Sequence, residues 1–306
     1  PTELPLNSPR PLSLERIALL TYILCIATAH AQAPSEKTAK SPIDFTANIQ
    51  TEAARIVSDP QRWSNLRVSV ELGATAKFGN DARVRIVGQL TSNAAPNVED
   101  NYYPAAVRKD QRFQANVREA FVEMPLDNVN ARIGKQTINW GEAVGVFVAD
   151  VVNARDLREF LLQDFDQLRI GQWAARFDWQ GEDKSAEVVW IPVPTYDNIG
   201  AFGGDYFSLP YSNVSNLFAV TPSVKPSRSL AHSNVGLRGG FLKDGWDVSA
   251  FYYRSMDREA LLTSRLSPII PAPLFTPTFG SRISQFGTAS SKDLEFAILK
   301  TEAVYT

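Results

Sequence analysis

The sequence is poor in the residues that most enzyme and metal sites use. It contains one cysteine, Cys25, and two histidines, His30 and His232. A disulfide framework, a cysteine-ligated zinc site and a histidine-rich metal motif are therefore excluded. There is also no Gly-x-Ser-x-Gly elbow and no phosphate-binding glycine loop. We predict that the protein is not an enzyme and has no catalytic residue, metal or cofactor.

A charge excess of one sign and long hydrophobic runs are lacking as well. The 31 lysine and arginine residues nearly balance the 33 aspartate and glutamate residues. Nucleic-acid binders carry a basic excess, so we expect no nucleic-acid partner. No stretch after Thr28 approaches the length of a transmembrane helix. A membrane β-barrel remains compatible with this composition, because only every second residue of its strands faces lipid.

The first 33 residues have the three parts of a cleavable signal peptide. Arg10 and Arg16 supply the basic part, and an apolar run follows at 17–28. Overlapping Ala-x-Ala cleavage sites occupy 29–33, and we predict cleavage after Ala31. The protein is therefore expected to be exported.

Two alternatives to the signal peptide are weaker. A transmembrane anchor is disfavoured because the apolar run is too short to cross about 30 Å as a helix. A lipoprotein site at Cys25 is disfavoured because residues 22–24 lack the small pair that such a site needs. We therefore divide the chain into upstream residues and signal peptide at 1–33 and one membrane domain at 34–306.

The remainder of the chain alternates between apolar and polar residues with period two, which predicts β-strands. The clearest case is 66–78, where apolar residues at the even positions alternate with polar residues at the odd positions. Such a long alternation fits a tilted membrane strand better than a soluble one. A parity shift within 113–124 suggests a β-bulge. About ten strands are visible, and the last is predicted at 293–305.

The connections between the predicted strands alternate in length. Short connections are predicted at 79–81, 125–129, 181–184 and 243–245, and long connections at 92–112, 141–167, 192–232 and 255–292. Outer-membrane barrels have short periplasmic turns and long external loops, whereas a soluble sandwich has no reason to sort its loops in this way. We therefore predict an all-β fold, a transmembrane antiparallel up-and-down β-barrel that is incomplete at the C-terminus. The predicted location is the Gram-negative outer membrane.

Aromatic residues lie near both ends of the predicted strands. Those at external ends are Trp63, Trp140 and Trp190, and those at periplasmic ends are Phe78, Trp179, Phe241 and Trp246. Because amphipathic rings prefer the boundary between membrane and water, we predict that these residues are interfacial. The alternative is that they are ordinary core aromatics.

The connection 141–167 is the strongest candidate for a functional element, because it combines many acidic residues with many apolar ones. We predict that it folds inward and narrows a pore. Its predicted constriction residues are Glu142, Asp150, Asn153, Arg155, Asp156, Arg158, Glu159, Asp164 and Asp166. The basic residues predicted to line the wall are Arg67, Lys77, Arg83, Arg85, Arg176 and Arg238. An acidic loop opposite a basic wall would create a transverse field that selects polar solutes.

One stretch of the sequence resembles a known family. It runs from Arg132 to Gly141 as Arg-Ile-Gly-Lys-Gln-Thr-Ile-Asn-Trp-Gly, with 118–121 before it and an Asp-x-x-Asn-x-x-Asp core at 150–156 after it. This pattern resembles a proteobacterial outer-membrane β-barrel family catalogued as domain of unknown function 1302 and often described as porin-like. The resemblance covers the chain from Ile43 onwards. It implies a barrel in the outer membrane and, because family members are longer, an N-terminal fragment.

The sequence thus favours a porin-like channel for diffusion of small solutes. The alternative is an outer-membrane component or receptor that transports an apolar compound, suggested by the aromatic connections 192–232 and 255–292. A barrel enzyme and a soluble secreted β-protein are the remaining alternatives. The expected partners are outer-membrane lipid and small solutes, and the oligomeric state, monomer or homo-oligomer, is left open.

Overall fold

The computed structural model describes residues 25–29, 43–79, 81–99, 102–141, 147–159, 165–207, 219–266, 273–294 and 296–306. Strands dominate these residues. In chain order they are β1 (Cys25–Ala29), β2 (Ile43–Ile56), β3 (Arg62–Phe78), β4 (Ala82–Asn93), β5 (Phe113–Leu126), β6 (Val129–Gln136), β7 (Ala154–Arg155), β8 (Arg169–Ile170), β9 (Gln172–Gln180), β10 (Lys184–Ile191), β11 (Ala219–Val220), β12 (Asn234–Lys243), β13 (Trp246–Met256), β14 (Leu261–Leu266), β15 (Pro273–Thr278), β16 (Arg282–Asp293) and β17 (Ile298–Tyr305).

One large sheet organises the protein. It has 12 strands in the order β1-β2-β3-β4-β5-β6-β9-β10-β12-β13-β16-β17, so neighbours in the sheet follow one another along the chain. Every pair of neighbours in it is antiparallel. The predicted all-β class and antiparallel order are therefore confirmed. Within the described residues, β17 pairs only with β16 and β1 only with β2, so the sheet is open.

The C-terminal part of the strand prediction was incomplete. A strand does lie within 293–305, as β17, but β16 precedes it and forms a hairpin with it, so the estimate of about ten strands was too low. The missed strand β16 lies within the predicted connection 255–292. Its sequence, Arg-Ile-Ser-Gln-Phe-Gly-Thr-Ala-Ser-Ser-Lys-Asp, places small or polar residues on both faces, so it lacks the alternation that predicts a half-buried strand.

Smaller elements fill the connections. The helices α1 (Ala95–Val98), α2 (Ala105–Gln111) and α3 (Phe165–Leu168) and a 3₁₀ turn at Leu230–His232 are all short. None of the described helices has the length and apolar character needed to cross a membrane. Strands β11, β15 and β14 form a separate small sheet, and β7 pairs with β8. At the N-terminal edge of the large sheet, β1 pairs with β2. Strand β1 lies within the segment predicted to be a signal peptide, and that role stays a prediction.

The alternation of short and long connections is confirmed. Short turns join β3 to β4, β5 to β6, β9 to β10, β12 to β13 and β16 to β17 at one end of the sheet, which we call the short-turn end. The connections at 94–112, 137–171, 192–233 and 257–281 all lie at the opposite, long-loop end. Three of the short turns contain an aspartate with positive φ, Asp81, Asp127 and Asp244. Aspartate tolerates this left-handed conformation, which suits tight hairpins.

The polarity of the two sheet faces is the reverse of that in a soluble protein, because the exposed face is apolar and the buried face is polar. On β3, Val68 and Leu72 are 47% and 57% exposed, whereas Ser69 between them is 8% exposed. We call the exposed apolar face the outer face. Other exposed apolar residues on it are Phe45, Ile49, Ile86, Leu90, Ile133, Trp173, Phe177, Val188, Leu237 and Phe286. The opposite, inner face carries polar and charged side chains, and the described residues of the long connection 137–171 cover part of it.

Candidate functional site on the inner face

The connection 137–171, which we call the inner loop, lies against the inner face of the sheet. Among its described residues, Ile138 and Trp140 are fully buried, and Val152 is also buried. These side chains pack on Val189 and Phe251 of the sheet. The apolar residues that are unusual for a solvated loop are therefore in contact with the wall.

We call this contact the dry region. It consists of Ile138, Trp140, Ala149, Val151 and Val152 of the inner loop with Ala174, Val189, Ile191, Phe251 and Tyr253 of the sheet. Two sheet glycines make the close packing feasible. A Cβ at Gly236 would lie 2.4 Å from the Trp140 ring, and one at Gly287 would lie 2.2 Å from the Phe251 ring. Glycine is thus required because the rings approach the backbone.

Trp140 is the central side chain of the dry region. Its indole Nε1 donates a hydrogen bond of 2.7 Å to Oε1 of Glu187, and its ring centroid lies 5.0 Å from that of Phe251. The prediction that Trp140 is an interfacial aromatic was therefore wrong. Strand β6 ends at Gln136, earlier than expected, so Trp140 follows the inner loop inward and does not remain in the wall.

Polar contacts within the inner loop fix its shape. The Asn153 side chain accepts a hydrogen bond from the Ile138 N–H at 3.0 Å and donates one to the Ile138 carbonyl at 2.8 Å. It also donates to Asp150 Oδ1 at 3.0 Å, and Asp150 in turn forms an ion pair of 2.6 Å with Arg169. Asp150 and Asn153, both predicted as constriction residues, thus hold the two ends of the loop together. Both are buried.

Asp197 and Asn198, in a second connection at 192–233, contact the inner loop. Asp197 Oδ1 accepts a hydrogen bond from the Arg155 N–H at 2.7 Å, and the Leu157 N–H donates to the Asn198 carbonyl at 2.8 Å. Asp197 is 2% exposed. Burial raises the pKa of this carboxyl to about 6, against the opposing influence of the Arg258 and Arg155 charges. Asp197 was not among the predicted site residues, because nothing near it in the sequence distinguishes it from a surface residue.

On its other side the inner loop leaves a polar space, which we call the inner cavity. The cavity has a volume of about 170 Å³ and is lined by residues of β2 to β6 and of the loops. Most of its lining side chains carry amide, hydroxyl or charged groups. They include Gln50, Ser69, Gln89, Thr91, Asn93, Gln111, Gln114, Asn116, Gln167 and Asn198.

Direct contacts across the inner cavity join the inner loop to the sheet. Arg67 forms ion pairs with Glu52 on β2 and, at 2.6 Å, with Glu159 of the inner loop. The amide of Gln89 donates to Gln167 Oε1 at 2.8 Å. Among the described residues, the Arg67–Glu159 ion pair joins an acidic residue of the inner loop to a predicted basic residue of the wall.

Arg118 holds the later part of the inner loop. It is the extra residue of a β-bulge, because Val87 pairs with Glu119 while the next residue of β4, Gly88, pairs with Val117. The guanidinium of Arg118 donates to the carbonyls of Asp166, Gln167 and Arg169 at 2.5–3.3 Å. The predicted parity shift is thus confirmed as a bulge, and a bulge can re-aim a side chain in this way.

The wall proves to be charge-paired and not uniformly basic. Each of four predicted wall arginines contacts a carboxylate on its own or a neighbouring strand. The pairs are Arg67 with Glu52, Arg83 with Glu123 at 2.7 Å, Arg85 with Glu119 at 2.5 Å, and Arg176 with Glu187 at 3.1 Å. Arg238 donates to Ser249 at 3.0 Å, and Lys77 is exposed near the short-turn end. The predicted basic wall therefore omitted the carboxylates that pair with its arginines.

The other predicted loop residues are dispersed. Asp156 forms an ion pair with Arg158, and Arg155 contacts Asp197 through its backbone. The side chain of Asp166 is 91% exposed and pairs with Arg169 at 2.8 Å. Glu142 and Asp164 lie outside the described residues. The inner loop therefore balances most of its own charge, and no cluster of metal-ligating side chains occurs in the described part of the chain.

The remaining predicted aromatics lie near strand ends. Five of these aromatic residues lie on the outer face and are 40% to 49% exposed, namely Phe78, Trp179, Trp190, Phe241 and Trp246. Trp63 is half-buried, with the Arg55 guanidinium 5.7 Å from its ring centroid. The interfacial role of these six residues stays a prediction.

Comparison with known proteins gives one result. A family model described as protein of unknown function (DUF1302) matches residues 60–305, which include β3 to β17 and the whole inner loop. No curated protein matches the chain. The family suggested by the motifs around Arg132–Gly141 is thereby confirmed.

Proposed function

This chain belongs to the DUF1302 family of proteins of unknown function, and from that premise we propose that it forms an outer-membrane channel for diffusion of small polar solutes. The proposal rests on the inverted polarity of the sheet, whose exposed face is apolar and whose buried face is polar. Leu72 and Ile86 on the outer face are more than half exposed, while Ser69 and Glu187 on the inner face are buried. Such a broad exposed apolar face is unfavourable in water and favourable in lipid.

The arrangement of connections supports the same proposal. A strand row with short turns at one end and long loops at the other is the pattern of outer-membrane barrels. Outer-face aromatics at both ends, such as Trp179 and Trp190, suit the two boundaries of a bilayer. In this proposal the described strands form part of a closed wall, because an unpaired edge in lipid would leave backbone groups without hydrogen bonds.

The inner cavity supports a path for polar solutes. It lies between the inner loop and β2 to β6, and its lining offers amides and hydroxyls such as Gln89, Asn116 and Thr91. The inner loop occupies part of the inner face through the dry region, so it would narrow the path without closing it. The alternative function, transport of an apolar compound, has less support because this lining is mostly polar.

Single cysteines on adjacent residues of β4 provide the test. Gln89 lines the inner cavity, whereas its neighbour Leu90 is 49% exposed on the outer face. Each is changed to cysteine in full-length protein carrying Cys25→Ser. A charged methanethiosulfonate reagent is then applied during single-channel recording in planar bilayers. We expect the reagent to reduce conductance through Gln89→Cys and to leave Leu90→Cys unchanged.

Recording each variant before and after the reagent separates modification from any effect of the substitution itself. Absence of channels from the full-length protein would overturn the proposal. Equal sensitivity of the two variants would also overturn it, because the inner and outer faces would then be equally accessible to water.

A further inference from the structure

The inner cavity carries an excess of positive charge. Its basic lining residues are Arg67, Arg118, Lys135, Arg158 and Arg169, and its acidic lining residues are Asp156 and Glu159. A cavity between low-dielectric walls concentrates ions of the opposite sign. The balance of these lining side chains therefore favours anions over cations in the inner cavity.

Three of the five cations are neutralised by close carboxylates. Arg67 pairs with Glu159 at 2.6 Å, Arg158 pairs with Asp156, and Arg169 pairs with Asp150 at 2.6 Å. Such pairs contribute little net charge to a solute in the cavity. The positive potential must therefore come from the two remaining cations.

Arg118 and Lys135 are less compensated. The nearest carboxylate contact of Arg118 is 3.7 Å, to Glu71, and its shorter bonds go to neutral carbonyls. Lys135 forms no ion pair within the described part of the chain. Both line the cavity. By register Lys135 faces the outer side with its partners Ala120 and Trp173, and it reaches the cavity beside Arg118 just beyond Ala120, where the described pairing of β5 with β6 ends. Together they provide a cationic point in the cavity lining.

The neutral part of the lining offers both hydrogen-bond donors and acceptors. The amides of Gln114, Asn116 and Gln167 and the hydroxyls of Ser69 and Thr91 line the same cavity. Amides and hydroxyls can replace the water around the hydroxyl groups of a solute. A solute with several hydroxyls and one negative charge would match both features of the lining.

We infer that the inner cavity is a selectivity site for small hydroxylated organic anions, with Lys135 and Arg118 attracting the negative group. This inference rests on the proposed channel function and specifies its substrate class. Lys135 is the better residue to test, because Arg118 also holds the inner loop through three carbonyls.

Gluconate, sorbitol and N-methylglucamine provide matched probes, since they are open-chain polyols of similar size with negative, zero and positive charge. Sorbitol entry into liposomes containing the full-length protein tests for a channel. A gradient of N-methylglucamine gluconate across a planar bilayer then gives the anion-to-cation permeability ratio from the reversal potential. At low ionic strength, where screening is weak, we expect a ratio of about ten in favour of gluconate.

Substitutions at Lys135 test the residue assignment. Lys135→Gln is expected to lower the permeability ratio severalfold, whereas Lys135→Arg keeps the charge and should preserve it. Lys184→Gln is the matched control, because it removes one charge from an exposed position that pairs with Phe241 on the outer face. Sorbitol entry through each variant verifies that the channel is assembled.

The outcomes distinguish the two levels of the argument. If sorbitol enters but gluconate is not preferred, or Lys135→Gln behaves like Lys184→Gln, the anion site is wrong and the channel stands. If sorbitol does not enter liposomes containing the unmodified protein, the proposed channel itself is wrong.

Discussion

The inner loop contacts the same face of the same sheet in two contrasting ways. Towards β9, β10 and β13 it forms the dry region, where Ile138 and Trp140 are completely buried among apolar side chains. Towards β2 to β6 it leaves the inner cavity, whose contacts are ion pairs and amide bonds such as Arg67–Glu159 and Gln89–Gln167. One region anchors the loop, and the other leaves space beside it.

This contrast follows the order of residues along the loop. The apolar residues of the dry region lie between Ile138 and Val152, before the charged residues Asp156, Arg158 and Glu159 that line the cavity. Apolar packing is close and specific, so it fixes the position of the backbone that continues into the polar segment. In the proposed channel, packing in the dry region therefore determines the width of the passage on the opposite side of the inner loop.

Of the substitutions that test this contrast, removal of the Trp140 indole should have the largest effect on the stability of the fold. Trp140→Ala deletes a fully buried side chain and leaves Glu187 Oε1 without its indole partner. We expect a loss of about 3–5 kcal/mol in the free energy of unfolding, as for other large core truncations. Trp190→Ala is the control, because Trp190 is 44% exposed on the outer face. Urea unfolding of both variants in the same detergent provides the measurement, and equal losses would show that the dry region does not anchor the loop.

Loss of an ion pair beside the cavity should have a smaller effect. Arg67→Gln leaves the carboxylates of Glu52 and Glu159 without their shared cation, whose side chain is 11% exposed. We expect a loss of about 1.5–3 kcal/mol, the range for hydrogen bonds to charged groups, together with a higher channel conductance because Glu159 is released.

Arg85→Gln is the matched control for that substitution. The Arg85 side chain is 36% exposed, so its pair with Glu119 is screened by solvent and should contribute at most about 1 kcal/mol. Unfolding in urea and single-channel conductance are measured for both variants. If Arg85→Gln proves the more damaging of the two, the ion pairs beside the cavity do not hold the loop.

The sequence was sufficient to predict the wall, because a sheet with one apolar and one polar face has a periodic signature. Alternation at 66–78 correctly assigned Val68 and Leu72 to one face and Ser69 to the other. The lengths of the connections then gave the sorting of short and long loops. Both signals are local, since each depends on neighbours in the chain.

The features that could not be predicted depend on contacts between residues that are far apart in the sequence. Trp140 looks like any aromatic at a strand end, and only its packing on Gly236 and Phe251 shows that it belongs to the interior. Likewise, the arginines of the wall were recognised, but their carboxylates lie on neighbouring strands and are matched only by register. Strand β16 was missed for a different reason, because its faces differ too little in polarity.

A further expected effect depends on pH and concerns the buried carboxyl of Asp197, which joins the two long connections through its contact with Arg155. Burial raises its pKa from 3.8 to about 6, so folding favours the protonated form. The stability that this group contributes is complete below pH 3.8 and is lost as the pH rises to about 6. One group can change the free energy of unfolding by no more than about 1.4 kcal/mol per pH unit.

We therefore expect Asp197→Asn to be less sensitive than the unmodified protein to a rise in pH through this window. Asp166→Asn provides the comparison, because the Asp166 side chain is 91% exposed. The midpoint of urea unfolding is measured for all three proteins between pH 3.8 and about 6. A slope that is the same for Asp197→Asn and the unmodified protein would mean that this carboxyl titrates as it does in the unfolded chain. The contact of Asp197 with the inner loop would then be independent of the charge of this carboxyl.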